Sequence, residues 1–192
     1  MKSLSTAVCL CLLCACATVR PDHFYILSSQ PQGAIEARTA PATQVILRVT
    51  LPSLVDRSEM VLNTTADGIT VLEHERWAAP LTDLVAQTLA EDIERRRADL
   101  LVSPQGVSHP REAAIRVTID TVQVTVRRGK QASIDVHWRI LDSLTGRDVI
   151  GGDVFNAPLG EESYAAVARA LSDCLGLLAD RLIAQLPPRE RP

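Results

Sequence analysis

The chain has 192 residues, of which 46% are hydrophobic and 22% are charged. This length suits one globular domain, and the composition excludes both a wholly disordered chain and a polytopic membrane protein. The net charge of -3 leaves no surplus of lysine and arginine to neutralise a phosphate backbone, and aromatic residues make up only 3% of the chain. We therefore expect no nucleic-acid partner.

The first stretch of the chain has the pattern of an export signal. Lys2 precedes an apolar run of about ten residues, which is too short to cross the roughly 30 Å hydrocarbon layer of a membrane as a helix. The run ends in Leu13-Cys14-Ala15-Cys16, which resembles the lipobox of bacterial lipoproteins. That resemblance implies removal of residues 1–15 and attachment of lipid to Cys16. The alternative is an ordinary signal peptide cut nearby, which would release a soluble periplasmic protein.

The residue after the lipobox cysteine predicts the destination. Ala17, rather than an aspartate, follows Cys16. By similarity to the enterobacterial sorting rule, this predicts transit to the outer membrane, with the domain on its periplasmic face. Acyl chains contribute about 0.8 kcal/mol per buried CH₂, so two or more chains would hold the domain to the membrane essentially permanently.

The first half of the mature chain is predicted to contain short strands and then one helix. The strands follow from apolar runs and alternation, at 23–28 (a buried first strand), 45–50, 60–62 and, as a possible fourth, 70–72. Residues 30–43 have no period and form a linker or surface loop. Pro80 suits a first helical turn, and apolar residues then recur at spacings of three and four as far as Ile93. The basic run 95–97 is interpreted as the end of this helix.

The second half changes from a helical period to a period of two. It predicts three strands in an antiparallel meander, at 115–126, 134–140 and 149–155. The apolar phase of the first of these shifts by one residue, which calls for a bulge near Asp120-Thr121. A long apolar stripe from Tyr164 to Leu186 then predicts a helix that ends at Pro187-Pro188. Cys174 falls on this stripe, which favours a buried small hydrophobe over a reactive thiol.

This order of elements predicts the fold class. Strands, a helix, three strands and a helix indicate an α+β two-layer sandwich of a mainly antiparallel sheet, with two amphipathic helices packed on one face. The other sheet face would meet solvent or another subunit. The domain organisation is a signal peptide (1–15), a lipidated N-terminus with the first strand and linker (16–43), one domain (44–187) and a flexible tail (188–192).

Motifs for catalysis, metals or phosphates are lacking in the sequence. The histidines are scattered and form no zinc-binding pair, at His23, His74, His109 and His137. Glu73-His74-Glu75 before Arg76-Trp77 would suit acid and base groups beside an aromatic sugar platform, but loops that enter helices commonly carry carboxylates. We therefore predict that the protein is not an enzyme and that it holds no metal or cofactor.

The distinctive motifs lie in the first half of the mature chain. They are Val49-Thr50-Leu51-Pro52, Asp56-Arg57, Arg76-Trp77-Ala78 and Pro80-Leu81. Together they resemble the PqiC type of ABC-transport auxiliary lipoproteins, and the early Phe24-Tyr25-x-Leu27 and the lipobox fit the same pattern. The chain departs from that family at Ala79, where an acidic residue is more usual, and before Asp56, where the family more often has Tyr-Leu.

The resemblance implies a function and a site. It implies a non-catalytic periplasmic domain that is tethered to the outer membrane, forms a homo-oligomeric ring and works with an MCE-domain protein that carries lipid across the envelope. The ring would use the uncovered sheet face or strand edges. The candidate site consists of the motif residues, namely Pro52, Asp56, Arg57, Arg76, Trp77, Pro80 and Leu81.

Two roles for these motif residues stay open, and so do two other functions. In an architectural role, Arg76 pairs with Asp56 and Trp77 packs under the first helix. In a binding role, the Arg-Trp loop faces the partner, because interfaces favour both residue types. The alternative function is a stand-alone periplasmic lipid- or glycan-binding lipoprotein module, which needs a cavity between sheet and helices. A purely structural envelope lipoprotein is a third interpretation.

Overall fold

The structure is a computed structural model, which describes residues 20–30, 43–63, 67–105 and 114–188. The predicted signal peptide, Cys16, most of the linker, His109 and nearly all of the tail lie outside these residues. The described strands are β1 (His23–Tyr25), β2 (Thr43–Thr50), β3 (Glu59–Asn63), β4 (Ile69–Trp77), β5 (Leu100–Pro104), β6 (Ile115–Arg127), β7 (Gln131–Asp142) and β8 (Asp148–Pro158). The described helices are α1 (Leu81–Arg96) and α2 (Tyr164–Ile183).

The larger of the two sheets has five strands in the order β5-β2-β6-β7-β8. Strand β2 runs parallel to both β5 and β6, whereas β6, β7 and β8 form an antiparallel meander. Helix α1 packs against β2 and β5, α2 packs against β7 and β8, and the two helices contact each other. The predicted α+β sandwich and its meander are confirmed. Strand β5, with its parallel pairing, was not predicted.

The hydrophobic core lies between the larger sheet and the helices. Leu47, Val117 and Ile140 sit side by side on neighbouring strands and are at most 2% exposed. One residue further along β2, Arg48 points to the opposite face, where it lies in the same row as Arg139 and is exposed. This alternation buries one face of the sheet and leaves the other open, as the period of two requires.

A bulge in β6 keeps the apolar residues on the buried face. Ile119 pairs with Trp138 before it and Val124 pairs with Ile134 after it, although these two β6 residues differ in phase. The register shifts between Thr121 and Gln123, so that Val122 between them is the extra residue and is 51% exposed. Without the extra residue, the apolar side chains in the second half of β6 would lie on the opposite face of the sheet. The predicted bulge is confirmed.

The smaller sheet has three strands in the order β1-β4-β3, with β1 parallel and β3 antiparallel to β4. The sequence did not predict this second sheet. The prediction of a buried first strand was wrong for its outer side chains, because Phe24 is 63% exposed and Ile26 is 60% exposed. Leu27 is buried in the core and Tyr25 is half-buried. One face of β1 therefore meets the core and the other does not.

Trp138 ties the meander to the end of α2. Its ring lies over Gly151 of β8, where an added Cβ would come within 2.5 Å of the ring. Its indole Nε1 donates a hydrogen bond to Gln185 Oε1 at 2.8 Å. Gly151 is therefore needed to make room for the ring, and the indole N–H of the buried tryptophan is satisfied.

Cys174 is fully buried in α2. Its Sγ lies 3.5 Å from the carbonyl oxygen of Phe155, and burial raises the pKa of the thiol to about 12. A thiol with so high a pKa carries almost no thiolate at neutral pH. The prediction of a buried small hydrophobe is confirmed.

Candidate functional site

The motif residues converge where β4 meets the first helix. Trp77, the last residue of β4, donates its backbone N–H to Ser58 O at 2.7 Å, and Ala78 donates its own to Tyr25 O at 2.8 Å. The end of β4 is thus held between β1 on one side and the loop 51–58 on the other. Asp56-Arg57 and Arg76-Trp77, distant in the sequence, are brought together by this arrangement.

The loop 51–58 caps α1. Pro52 O accepts hydrogen bonds from the backbone N–H groups of Val55 and Asp56, at 3.0 and 3.1 Å, which folds the loop into a tight turn. Asp56 Oδ1 then accepts a hydrogen bond from Thr82 N at 3.2 Å, in the first turn of the helix. The N-cap residue is Pro80, whose side chain offers no acceptor. Asp56 therefore supplies from a remote loop both the acceptor and the negative charge that a helix N-terminus favours.

Glu59 bridges the two arginines of the motif. Arg57 Nε donates to Glu59 Oε2 at 3.0 Å, and Arg76 Nη2 lies 3.3 Å from Glu59 Oε1. Arg76 Nη2 also donates to Ser58 Oγ at 2.8 Å. The hydrogen bond from Arg57, together with those from the Glu59 backbone and Ser58, lowers the pKa of the Glu59 carboxyl.

The predicted pair between Arg76 and Asp56 was wrong. Asp56 faces the start of α1, whereas Arg76 is engaged by Ser58 and Glu59 at the start of β3. Sequence reasoning missed Glu59 because a lone glutamate at a strand end carries no motif. Its position opposite Arg76 follows from the β3-β4 register, which includes an irregularity between Glu59 and Met60.

The motif residues differ in burial. Trp77 and Leu81 are each 4% exposed and belong to the core, whereas Pro80 is exposed. The side chains of Arg57 and Arg76 are 41% and 32% exposed. The motif thus has an apolar half that joins the small sheet to the core and a polar half at the surface.

A buried charge cluster fastens the N-terminal segment to the helices. Asp92 of α1 is fully buried and accepts hydrogen bonds from Ser29 Oγ, Gln30 N and Arg96 Nη1, at 3.0, 2.9 and 2.8 Å. Arg96 Nε lies 2.8 Å from Asp180 Oδ1 of α2. We call residues 28–30 the strap, because Ser28 N also donates to a side chain of α2, Ser172 Oγ, at 3.1 Å. The sequence showed no sign of the strap, because its partners lie some 60 to 140 residues away.

Two arginines of the basic run at the end of α1 make contacts within the domain. Arg96 is held in the buried cluster, and Arg97 forms a two-pronged contact with Asp99, at 2.8 and 2.7 Å. Arg97 also donates to the carbonyl of Pro187 at 3.1 Å. These contacts agree with the interpretation of the run as a helix end.

Two spaces lie beside the motif. A small gap of about 20 Å³ between the helices and the sheet is lined almost entirely by apolar residues, among them Leu27, Leu51 and Leu81. A groove of about 800 Å³, open to solvent, runs between α1 and the ends of β2 and β5, with polar side chains such as Arg48 and Gln87 along it. Within the described residues no group of three or more His, Cys, Asp and Glu is placed to hold a metal ion. No helix in those residues is long and apolar enough to cross a membrane.

In the described residues, the fold is that of a small α+β domain with helices packed on a mixed sheet. The model of one family matches residues 25–183, and its description is "ABC-type transport auxiliary lipoprotein component". The chain belongs to this family of transport auxiliary lipoproteins. The resemblance drawn from the motifs is confirmed. Among curated proteins, none matches the chain.

Solved structures share the fold. A crystal structure of an uncharacterized protein is similar with a TM-score of 0.71 and 12% identity, covering 88% of this chain and 100% of that one. Protein XCC0632 from Xanthomonas campestris, of family DUF330, is similar with a TM-score of 0.64 and 17% identity, covering 85% and 94%. At these identities, the likeness extends to the fold alone.

Proposed function

We propose that the protein is a non-catalytic lipoprotein, anchored to the periplasmic face of the outer membrane through Cys16, and that it serves an MCE-domain protein in an ABC-type intermembrane lipid transport system. The observation that carries this proposal is the family match over residues 25–183. The lipobox at Leu13-Cys14-Ala15-Cys16 supports the anchor, and Ala17 supports the outer membrane as its site.

The geometry of the motif favours the architectural role. Trp77 is buried, Asp56 caps α1, and Arg57 and Arg76 share Glu59. These contacts join the loop 51–58 to the start of α1 and to the end of β4. The partner would then bind a surface whose shape the motif maintains. Pro80 and the exposed parts of Arg57 and Arg76 would lie at the border of that surface.

The sheet edges and the open sheet face support self-association. Among the described strands, β8 pairs only with β7, and it runs for 11 residues along the edge of the larger sheet. Two exposed aliphatic side chains lie on it, Ile150 at 75% and Val154 at 49% exposed. A long edge strand without lysine or proline in its interior can pair with a strand of another chain. A homo-oligomeric ring joined along this edge is therefore part of the proposal.

The stand-alone binding module remains the second candidate. The apolar gap of about 20 Å³ holds about one water molecule, which is far below the size of an acyl chain. The open groove of about 800 Å³ is large enough for a small ligand, and its mixed lining suits a glycan better than a lipid. A glycan-binding module would use this groove.

One experiment separates the two functions. The tagged full-length protein is crosslinked mildly in cells, purified from detergent-solubilised envelopes and analysed by mass spectrometry. Recovery of an MCE-domain protein together with acylated Cys16 is the expected result. Acylated protein with no MCE partner, and with glycan retained in native mass spectrometry, would overturn the accessory role in favour of the module. A Gln87→Ala variant in the groove is the control, because it should alter glycan retention but not MCE recovery.

A further inference from the structure

On the outer side of β1 and of the residue that follows it, apolar side chains are exposed in the described part of the chain. Phe24 is 63% exposed and Ile26 is 60% exposed, and they lie on the same side of the chain. The bond from Ala78 N to Tyr25 O places the next residue, Ile26, beside Ala78, which is also exposed. We call Phe24, Ile26 and Ala78 the β1 rim. Single exposed apolar residues are common, but a large aromatic side chain on β1 and a large aliphatic one directly after the strand are not a typical surface.

The rim is fixed in the body and cannot fold back into the core. Tyr25 and Leu27, which alternate with the rim residues, point inwards. The Tyr25 hydroxyl donates to Glu75 Oε2 at 2.6 Å, and desolvation, followed by this bond, raises the pKa of that hydroxyl to about 12. The strap then holds residues 28–30 on the helices. The side chain of Phe24 therefore stays on the surface of the domain.

The distance from the lipid anchor points to what covers the rim. About eight residues separate Cys16 from Phe24, and a fully extended chain of that length spans at most about 28 Å. An acylated Cys16 would therefore keep the rim within about 28 Å of the membrane surface at all times, which is less than the roughly 40 Å diameter of a domain of this size. Tethering on this scale gives an effective concentration on the order of millimolar, so that even a weak contact is populated.

The charges around the rim are compatible with a lipid surface. Asp22 Oδ1 lies 2.9 Å from His74 Nδ1, and Arg76 is engaged by Glu59, so the neighbouring charged groups are partnered. Arg20, on the stretch between the anchor and the rim, is exposed and free to approach anionic headgroups. We propose that the β1 rim inserts into the interface of the membrane that holds the lipid anchor, and that this contact orients the domain. The inference rests on the proposed acylation of Cys16.

Tryptophan fluorescence tests this contact on the full-length, acylated protein. Both native tryptophans, Trp77 and Trp138, are 4% exposed, so an added exposed indole can be distinguished from them by its access to quenchers. The reporter variants are Phe24→Trp and, as a second position on the rim, Ile26→Trp. The control is Leu144→Trp, because Leu144 is 80% exposed in the β7-β8 turn, at the end of the larger sheet where β2 begins. Each protein is reconstituted into phosphatidylethanolamine and phosphatidylglycerol vesicles that contain lipids brominated near the headgroup end of the chain.

The expected result is a loss of fluorescence and a blue shift for the two rim variants, and neither for Leu144→Trp. An acylated protein whose rim indole stays accessible to iodide in vesicles would overturn the inference. So would a rim indole that is shielded from iodide equally with and without lipid, because a protein surface or a second copy would then cover it. Mass spectrometry of the same samples reads out Cys16. A mature protein without acyl chains would overturn the anchor itself, whereas an acylated but unquenched protein overturns only the membrane contact.

Discussion

The two sheets of this protein are stabilised in different ways. The larger sheet buries one whole face under two helices, with rows such as Leu47, Val117 and Ile140 almost fully inaccessible. The smaller sheet reaches the core only along its inner face, and its outer face carries exposed Phe24 and the ion pairs of Glu59. Apolar burial stabilises the first, whereas a few specific contacts hold the second in place. The family motif lies at the smaller sheet, whose position depends on specific contacts between particular residues rather than on extensive apolar burial.

Removal of Trp77 is expected to have the largest effect on the smaller sheet. Trp77→Ala deletes a side chain that is 4% exposed and should lower the free energy of unfolding by about 3 to 5 kcal/mol. Chemical denaturation measures the loss. Hydrogen exchange should show that the amides of Trp77 and Ala78, which bond to the neighbouring loop and β1, lose protection first.

Phe24→Ala is the matched control for this substitution. It removes an aromatic side chain from the same sheet, but one that is 63% exposed, so stability should change by no more than about 0.5 kcal/mol. If Trp77→Ala left stability unchanged and abolished recovery of the MCE-domain protein, the architectural role of the motif would be wrong and the binding role correct.

The buried cluster at the strap provides the next largest effect. Asp92→Ala leaves Arg96, whose side chain is 8% exposed, without its buried partner, and should cost about 3 to 5 kcal/mol. It should also release the strap, which limited proteolysis after residue 30 would detect. Glu161→Ala breaks a carboxylate pair with Arg169 at the surface and is the control, with little expected effect because both side chains are more than half exposed. Equal losses in the two variants would contradict a structural role for the buried cluster.

Gly151 offers a test within the larger sheet. A Cβ at this position would lie 2.5 Å from the ring of Trp138, so Gly151→Ala should destabilise the meander by about 1 to 3 kcal/mol through overpacking. Gly160→Ala is the control, because nothing lies within 4 Å of its added methyl group. A Gly151→Ala variant as stable as the control would mean that Trp138 shifts without cost.

The remote cap of α1 should contribute less. Asp56→Ala removes the acceptor for Thr82 N and should reduce stability by about 1 kcal/mol, as expected for loss of a helix cap. Asp56→Asn keeps an acceptor and should recover most of that loss. Thermal unfolding of the three proteins measures the series, and equal midpoints for Asp56→Ala and wild type would exclude the cap.

The contrast between the two sheets also explains what the sequence could predict. The period of two in β6 and β7 and the apolar stripe of α2 are local patterns, so the meander, its bulge and the buried Cys174 were predicted correctly. The second sheet depends on the parallel pairing of β1 with β4, some 50 residues apart, which no local pattern encodes. For the same reason the motif residues were found, but the partner of Arg76 was assigned to Asp56 instead of Glu59. Sequence motifs identify which residues belong to the site, whereas the contact partners of those residues depend on how the strands pair.

The smallest expected effect is a dependence of stability on pH at Glu59. Hydrogen bonds, first from Arg57, lower the pKa of this carboxyl from its usual value of 4.5 in the folded protein. A lowered folded-state pKa contributes stability above the unfolded-state pKa, and that contribution is lost as the pH falls through the folded-state value. Wild type should therefore exceed Glu59→Gln in stability at neutral pH, and the difference should shrink once the pH falls below about 4.5.

Urea unfolding of both proteins across this range measures the difference. Salt should also shrink it at neutral pH, because the carboxylate is 23% exposed and its pairs with Arg57 and Arg76 are accessible to ions. Asp148→Asn in the larger sheet is the counterpart, since a hydrogen bond from Arg139 likewise lowers the pKa of Asp148. If the smaller sheet depends on its ion pairs more than the larger one does, acid should deprotect the amides of β3 and β4 before those of β7 and β8. The reverse order would contradict the conclusion that the smaller sheet depends on its ion pairs more than the larger sheet does.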